Sequence, residues 1–367
     1  MMLQEEVDWT EVLVLAEQHR VGQLMLRQLQ KQRPGMVPQT VLDSLREQAQ
    51  AAACRSLFLT GELLKVLDIF KAHDIPAIPW KGPVLATMAY GDVALRQFDD
   101  LDILVRPRDM RRAKDLLIAE GYQPMIQLTE RQIGSYLRSQ YVYPLISADG
   151  STIIELHQDI RPRYFAFQID SDQIWTQPQR LMLGGKEVLN LAPEDVLLLL
   201  CAHGANHCWE RLTWICDIAE LMRAHPELDW SRLRRESYAS GNERMLLLGL
   251  LLVRNLLDVR LPDQASFWLM GDMALYPLSQ QVTTRLFQDS TPLTPVERIR
   301  FHLRVRERPR ERWLYCLYLL TSPTEEDWTM QPLPPALTFL YALWRPVKLL
   351  RRYGRQLLKD LIGRQDY

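Results

Sequence analysis

Asp100-Leu101-Asp102-Ile103-Leu104-Val105 is a short run that reads as a β-strand. Its branched and aliphatic residues favour the extended chain, and Pro107 stops it. Successive strand side chains point to opposite faces, so Asp100 and Asp102 share one face while Leu101, Ile103 and Val105 share the other. Two carboxylates held that close repel, and one takes up a proton unless a cation or several donors compensate. A divalent cation is the usual compensation, because Mg2+ prefers carboxylate oxygens and keeps positions open for phosphate oxygens. The plainer alternative is a pair of solvated acids at a strand end.

On the C-terminal side, Asp109 is placed to cap a helix running through Leu116 to Glu120, and Gly121 stops it. Tyr122 to Leu128 and Tyr141 to Ile146 then read as strands around an undefined middle. The Asp149-Gly150 turn joins the second of these to Thr152-Ile153-Ile154-Glu155-Leu156-His157 as an antiparallel hairpin. Alternation puts Ile153, Glu155 and His157 on one face, so Glu155 arrives where a third acid is needed, as a further metal ligand or as a base. An edge-strand acid paired with His157 or an arginine is the structural alternative. Gly184-Gly185 is expected to close a second hairpin.

On the N-terminal side, Ile75-Pro76-Ala77-Ile78-Pro79-Trp80 suits a strand beside a loop. Trp80-Lys81-Gly82-Pro83 leads from it into a short helix, Val84 to Tyr90, whose free N–H groups favour an anion. Lys81 and Gly82 are therefore candidate phosphate contacts. Arg96 either meets phosphate or pins the loop to the acids.

The flanks are helical. Leucine, valine and phenylalanine recur at helical spacing from Trp9 to Leu29 and from Thr40 to His73, with Pro34-Gly35 between. Pro193-Glu194-Asp195 opens a leucine-rich helical region reaching Leu256. The expected organisation is α+β: N-terminal helices over 1–74, a small mixed sheet with helices over 75–192, a larger all-helical region over 193–330 and a basic amphipathic tail over 331–367. In the tail, a helix from Phe339 to Leu361, kinked at Pro346, carries Arg345, Lys348, Arg351, Arg352, Arg355 and Lys359 among apolar residues. That pattern suits either an anionic surface or a plain solvated face.

Lysine plus arginine (44) balance aspartate plus glutamate (45), so no global field draws nucleic acid or anionic lipid. The N-terminus has no basic start or apolar stretch, and the apolar run Met245–Val253 is well short of a bilayer span of about 20 residues. A cytoplasmic protein is expected. The five cysteines form no C-x-x-C pair and read as free thiols in a reducing compartment.

Taken together, Lys81-Gly82, Tyr90-Gly91-Asp92, Arg96, Asp99-Asp100-Leu101-Asp102, Gly121-Tyr122 and Glu155-Leu156-His157 resemble the uncharacterised nucleotidyltransferase family of the polymerase-β-like superfamily. His203-Gly204, His207, Trp209, Arg211-Leu212, Trp214 and Cys216-Asp217 extend the resemblance, which covers roughly Lys65 to Leu221. It implies a small mixed sheet flanked by helices, with Mg2+ (or Mn2+) held by Asp100 and Asp102 and assisted by Glu155. The implied reaction moves a nucleoside monophosphate, adenylate being the expected one, from ATP or another triphosphate to a hydroxyl of a small molecule or protein. One departure stands out: the superfamily's glycine-serine turn is Lys81-Gly82-Pro83 here, with no hydroxyl for phosphate and one N–H fewer.

His203 and His207 lie one helical turn apart. Together with Arg211 they either face the cleft and meet phosphate or acceptor, or serve helix packing. A zinc site with Cys201 and Cys208 would need a further ligand from elsewhere. The altered glycine turn motivates an alternative function, a nucleotide-binding or sensing module with weak turnover. An RNA-tailing enzyme is a third reading, against which the neutral net charge counts; nucleic acid is not an expected partner.

Overall fold

The computed structural model describes residues 7–32, 37–159, 171–176, 178–288, 291–330, 333–334 and 337–362. The first six residues, Pro34-Gly35, and the tail side chains of Arg352, Arg355 and Lys359 lie outside the described parts. Three helices come first: α1 (Trp9–Gln18), α2 (Gly22–Gln32) and the long α3 (Gln39–Ala72). Next come β1 (Ala77–Pro79), α4 (Gly82–Leu85), β2 (Asp100–Val105), α5 (Met110–Ala119), β3 (Gln123–Pro124), α6 (Glu130–Ser139), β4 (Val142–Ile146) and β5 (Ile153–His157). The short α7 (Ser171–Thr176) precedes the hairpin β6 (Gln179–Leu183) and β7 (Lys186–Asn190). Helices make up the rest: α8 (Pro193–Asn206), α9 (Leu212–Ala224), α10 (Trp230–Ala239), α11 (Glu243–Leu257), α12 (Asp263–Trp268), α13 (Leu275–Phe287), α14 (Pro295–Val305), α15 (Pro309–Thr321), α16 (Glu325–Met330) and α17 (Leu340–Ile362).

The five-stranded sheet has the order β1-β2-β5-β4-β3. It is mixed: β2 and β5 run parallel, and the other neighbours run antiparallel. The parallel register sets Asp102 opposite Glu155 and Leu104 opposite His157. One face of the sheet, with Leu101, Ile103, Val105, Ile154 and Leu156, packs on Leu59, Leu63, Val66 and Phe70 of α3 and on α5. The other face, represented by Ile78 and Leu104, joins the leucine-rich core of α8, α9 and α11. The acids lie on this second face, at the seam between sheet and helices.

Three expectations need correction. The strand expected from Tyr122 to Leu128 shrinks to Gln123–Pro124 at the sheet edge, where Pro124 has no N–H to extend the ladder. The undefined middle is α6, begun by a reciprocal capping box between Thr129 and Gln132. Asp109 does stand at the N-cap just before α5, but its side chain makes no capping hydrogen bond and lies 3.7 Å from both Arg108 and Arg112. In the tail, Arg345 and Lys348 do not offer their charge outward: they lie 2.9 and 2.7 Å from Asp327. Leu343, Trp344 and Leu350 are exposed. No helix among the described residues is long and apolar enough to cross a membrane.

The exit from α8 fixes one wall of the site. Cys208 and Trp209 take left-handed φ values of 52° and 56°, and the Trp209 N–H donates to the Gly204 carbonyl at 2.8 Å. The fully buried Trp209 ring folds back over Gly204, where an added Cβ would stand 2.4 Å from it. Gly204→Ala must therefore push the indole out of the core, a loss of about 1–3 kcal/mol. Denaturant unfolding checks this, and a midpoint equal to wild type would contradict it.

Candidate active site

Lys81 follows β1 after Trp80, and Gly82 turns the chain at φ 52°, a conformation that favours glycine. The helix expected to present its start to an anion is only four residues long and continues as a π turn over Ala86–Tyr90, so its dipole is weak. The Lys81 ammonium instead sits 4.1 Å from the Trp80 ring centroid and 3.4 Å from Asp102 Oδ1.

Strand register brings the acids together. Asp102 is 3 % exposed, and His157 Nε2 lies 3.0 Å from its Oδ1 and 3.5 Å from Glu155 Oε2. Ligand atoms of Asp102, Glu155 and His157 all lie within 4.8 Å of one another, the one such group of three or more among the described residues. Asp102 Oδ2 is buried with no hydrogen-bond partner. A buried carboxylate oxygen left unmatched is costly unless a cation or donor meets it, so these residues fit a divalent ion. Asp100 is outside this tight group. It is two residues back on the same strand face and lines the cavity in front.

Their charges are held apart. Burial, reinforced by the charge of Asp102, pushes the Asp100 carboxyl up to about 6. Burial also works against the Asp102 charge, but Lys81 and His157 together hold that carboxyl well below the usual range. The carboxylates of Asp102 and Glu155 raise His157 against the desolvation that would lower it.

A cavity of about 630 Å³ opens in front of these groups. Lys81, Gly82, Arg96, Asp100, Glu155, His203, His207 and Arg211 all contribute to its lining, whereas Asp102 stays behind it. The far wall is aromatic and basic. The His203 and His207 rings are 4.5 Å apart, each lies 5.2 Å from Trp214, and Arg211 stands 5.8 Å over that indole. Burial of Cys201 and Cys208 raises both thiols, the second to about 12, and neither joins the histidines in a metal-ligand group. The zinc alternative has no support there.

Arg96 lines the cavity and pairs with Asp217 rather than with the acid pair. Its guanidinium donates to both carboxylate oxygens of Asp217 on α9, at 2.8 and 3.0 Å, and Tyr90 Oη donates to Asp217 at 2.8 Å. The Ser56 hydroxyl donates to the Arg96 carbonyl. Arg20 pairs with Asp99, so α1 and the turn after it also brace the approach to β2. Sequence reasoning passed over Arg20, which carries no local signal. It named His157 only as a neighbour of Glu155, although strand alternation already put the two on one face.

Burial, with Lys81 adding its charge, lowers His203 well below its ordinary value and His207 to about 4. The unfolded chain's histidines take up protons near pH 6.5, whereas folded His207 refuses one until about pH 4 and folded His203 is lowered in the same direction. Their contribution to stability is therefore complete above pH 6.5 and is lost as pH falls towards 4. We expect a His203→Gln/His207→Gln variant to lose less stability than wild type between pH 7 and 5, by about 1–3 kcal/mol. Denaturant midpoints at the two pH values measure this; equal losses would contradict it.

A family model described as uncharacterised nucleotidyltransferase matches residues 5–258. No curated protein matches the sequence. Among solved structures, the antibiotic-resistance factor ANT(2'')-Ia is similar at 12% identity and a TM-score of 0.35, over 50% of this chain and 91% of that one. An antigenic nucleotidyltransferase-like protein from Paracoccidioides brasiliensis is similar at 17% identity and a TM-score of 0.33, over 56% of this chain and 89% of that one. Likenesses that loose bear on neither substrate nor mechanism. The family match is different, for it takes in the whole sheet, both walls of the cavity and well over half of the sequence: the chain belongs to the uncharacterised nucleotidyltransferase family.

Proposed function

We propose that this protein transfers a nucleoside monophosphate, adenylate by preference, from a triphosphate to a hydroxyl of a small molecule or protein. Family membership supports nucleotidyl transfer in general and implies a triphosphate substrate and a divalent metal. The observation that carries the reading is Asp102: a buried carboxylate with an unmatched oxygen, flanked by Glu155 and His157 and set behind a polar cavity.

In this reading Asp100, Asp102 and Glu155 would hold Mg2+ or Mn2+. Such an ion, when bound, neutralises the triphosphate and the charge that develops on its leaving oxygens. Lys81 exchanges its contact with Asp102 for phosphate, while Arg211, His203 and His207 meet the triphosphate or the acceptor from the far wall. Arg96 acts as a positioning residue through Asp217. The acceptor oxygen bonds to the α-phosphorus as the bond to the bridging oxygen breaks. Pyrophosphate leaves with that electron pair, and the acceptor's proton passes to Glu155, whose side chain is 34% exposed. Holding the reactants in line supplies orientation that would otherwise cost entropy.

A binding or sensing module is the second reading, favoured by the missing hydroxyl in Lys81-Gly82-Pro83 and by the contact of Lys81 with Asp102. Incubation with labelled triphosphates, Mg2+ and a cell extract as acceptor source separates the two. Pyrophosphate release with label moved to a new species is the expected result. Tight triphosphate binding without release would replace the enzyme by the module.

A further inference from the structure

A second cavity, of about 450 Å³, lies beside the first, between the start of α5 and the end of α6. Arg108, Arg111 and Arg138 line it. Two of these guanidiniums converge over Gly134: a Cβ there would stand 3.1 Å from Arg111 Nη2 and 3.8 Å from Arg138 Nη1. Arg138 donates to the Ser135 hydroxyl at 2.7 Å, and Arg111 has no ion pair or hydrogen bond among the described residues. Arg108 lies a loose 3.7 Å from Asp109, a carboxylate it shares with Arg112. Asp159 also lines the cavity and has an interaction of its own.

Guanidiniums brought together repel, and an oxyanion with several acceptor oxygens relieves that repulsion. Guanidinium forks match phosphate geometry in particular. The two cavities share a lining residue. Tyr141 lines both, and its ring lies 5.9 Å from that of His157, which reaches Asp102.

We propose that the arginine cavity binds a phosphoryl group carried by the acceptor, so that the acceptor is a small phosphorylated hydroxy compound lying across Tyr141 with its hydroxyl in the catalytic cavity. The phosphoryl site stands on the arginines alone; identifying its ligand as the acceptor rests on the transferase reading. A small molecule fits better than a nucleic acid, because the cavity holds only about 450 Å³ and a net charge of -1 sets up no global field for a polyanion.

Two measurements test this. In the first, inorganic phosphate is titrated into the full chain without metal or triphosphate, by calorimetry. Wild type binds, an Arg111→Ala/Arg138→Ala variant binds at least about tenfold more weakly, and Lys81→Ala binds as wild type does. No binding by wild type, no change in the double variant, or loss only in Lys81→Ala overturns the site. Both arginines are exposed, so the double variant should fold, and Arg111→Lys, which keeps charge without the fork, gives an intermediate loss.

In the second, pyrophosphate release from ATP with Mg2+ is followed with a mixture of sugar phosphates as acceptors, and with the same mixture after phosphatase treatment. Release only with the untreated mixture, and a raised KM with little change in kcat for the double variant, is expected. Equal release with both mixtures, or release only with an RNA 3′ end, overturns the acceptor assignment. Release with none overturns it together with the transferase reading, and the phosphate titration still reports separately on the arginine site.

Discussion

Asp102→Asn is expected to lower the rate of pyrophosphate release by on the order of a thousandfold, the loss of several kcal/mol of transition-state stabilisation. The side chain keeps its shape, but the amide cannot supply the charge that draws a cation into a site otherwise faced by Lys81 and His157. The loss should fall on turnover rather than on folding, so far-UV circular dichroism is measured alongside. Glu155→Gln should also impair release, through the acceptor proton and the ion together. A well-folded Asp102→Asn protein with near wild-type release would remove Asp102 from the chemistry.

The second large effect is on stability. Asp217 is fully buried, and its carboxylate receives the Arg96 guanidinium at two points and the Tyr90 hydroxyl at a third. Asp217→Ala leaves a buried cation without its partner, which costs about 3–5 kcal/mol. Replacing both members by apolar residues, Arg96→Met with Asp217→Leu, should be less damaging than Asp217→Ala alone, since no charge is then stranded. Denaturant unfolding of the three proteins measures both statements. A loss below about 1 kcal/mol for Asp217→Ala would show that the pair does not tie the loop before β2 to α9.

Much of the sheet was legible because the signals were local. The alternation around Asp100 and Asp102, the Asp149-Gly150 turn and the Gly184-Gly185 turn each depend on residues close in sequence, and all three lie where they were expected. Glu155 could be assigned to a strand face, but its alignment opposite Asp102 depends on a parallel pairing reached through α5, β3, α6 and β4. No local pattern carries that. The helix α6 was missed although Thr129 and Gln132 have capping-box spacing, since the apolar strand-like residues before it dominated the reading. Arg96 found its partner 121 residues away, and the inward turn of Lys81 depends on Asp102 being buried behind it. Those two features come from the meeting of sheet and helices, which sequence spacing does not encode.

The central claim is that the acids on β2 and β5 form one cation site used together with a triphosphate. Anomalous diffraction from crystals grown with Mn2+ and a non-hydrolysable triphosphate tests it most directly. The account predicts a manganese peak shared by Asp102, its neighbouring acids and the phosphates, with Lys81 released from Asp102. A bound triphosphate with no manganese at the acids, and Asp102 still covered by Lys81 and His157, would contradict it.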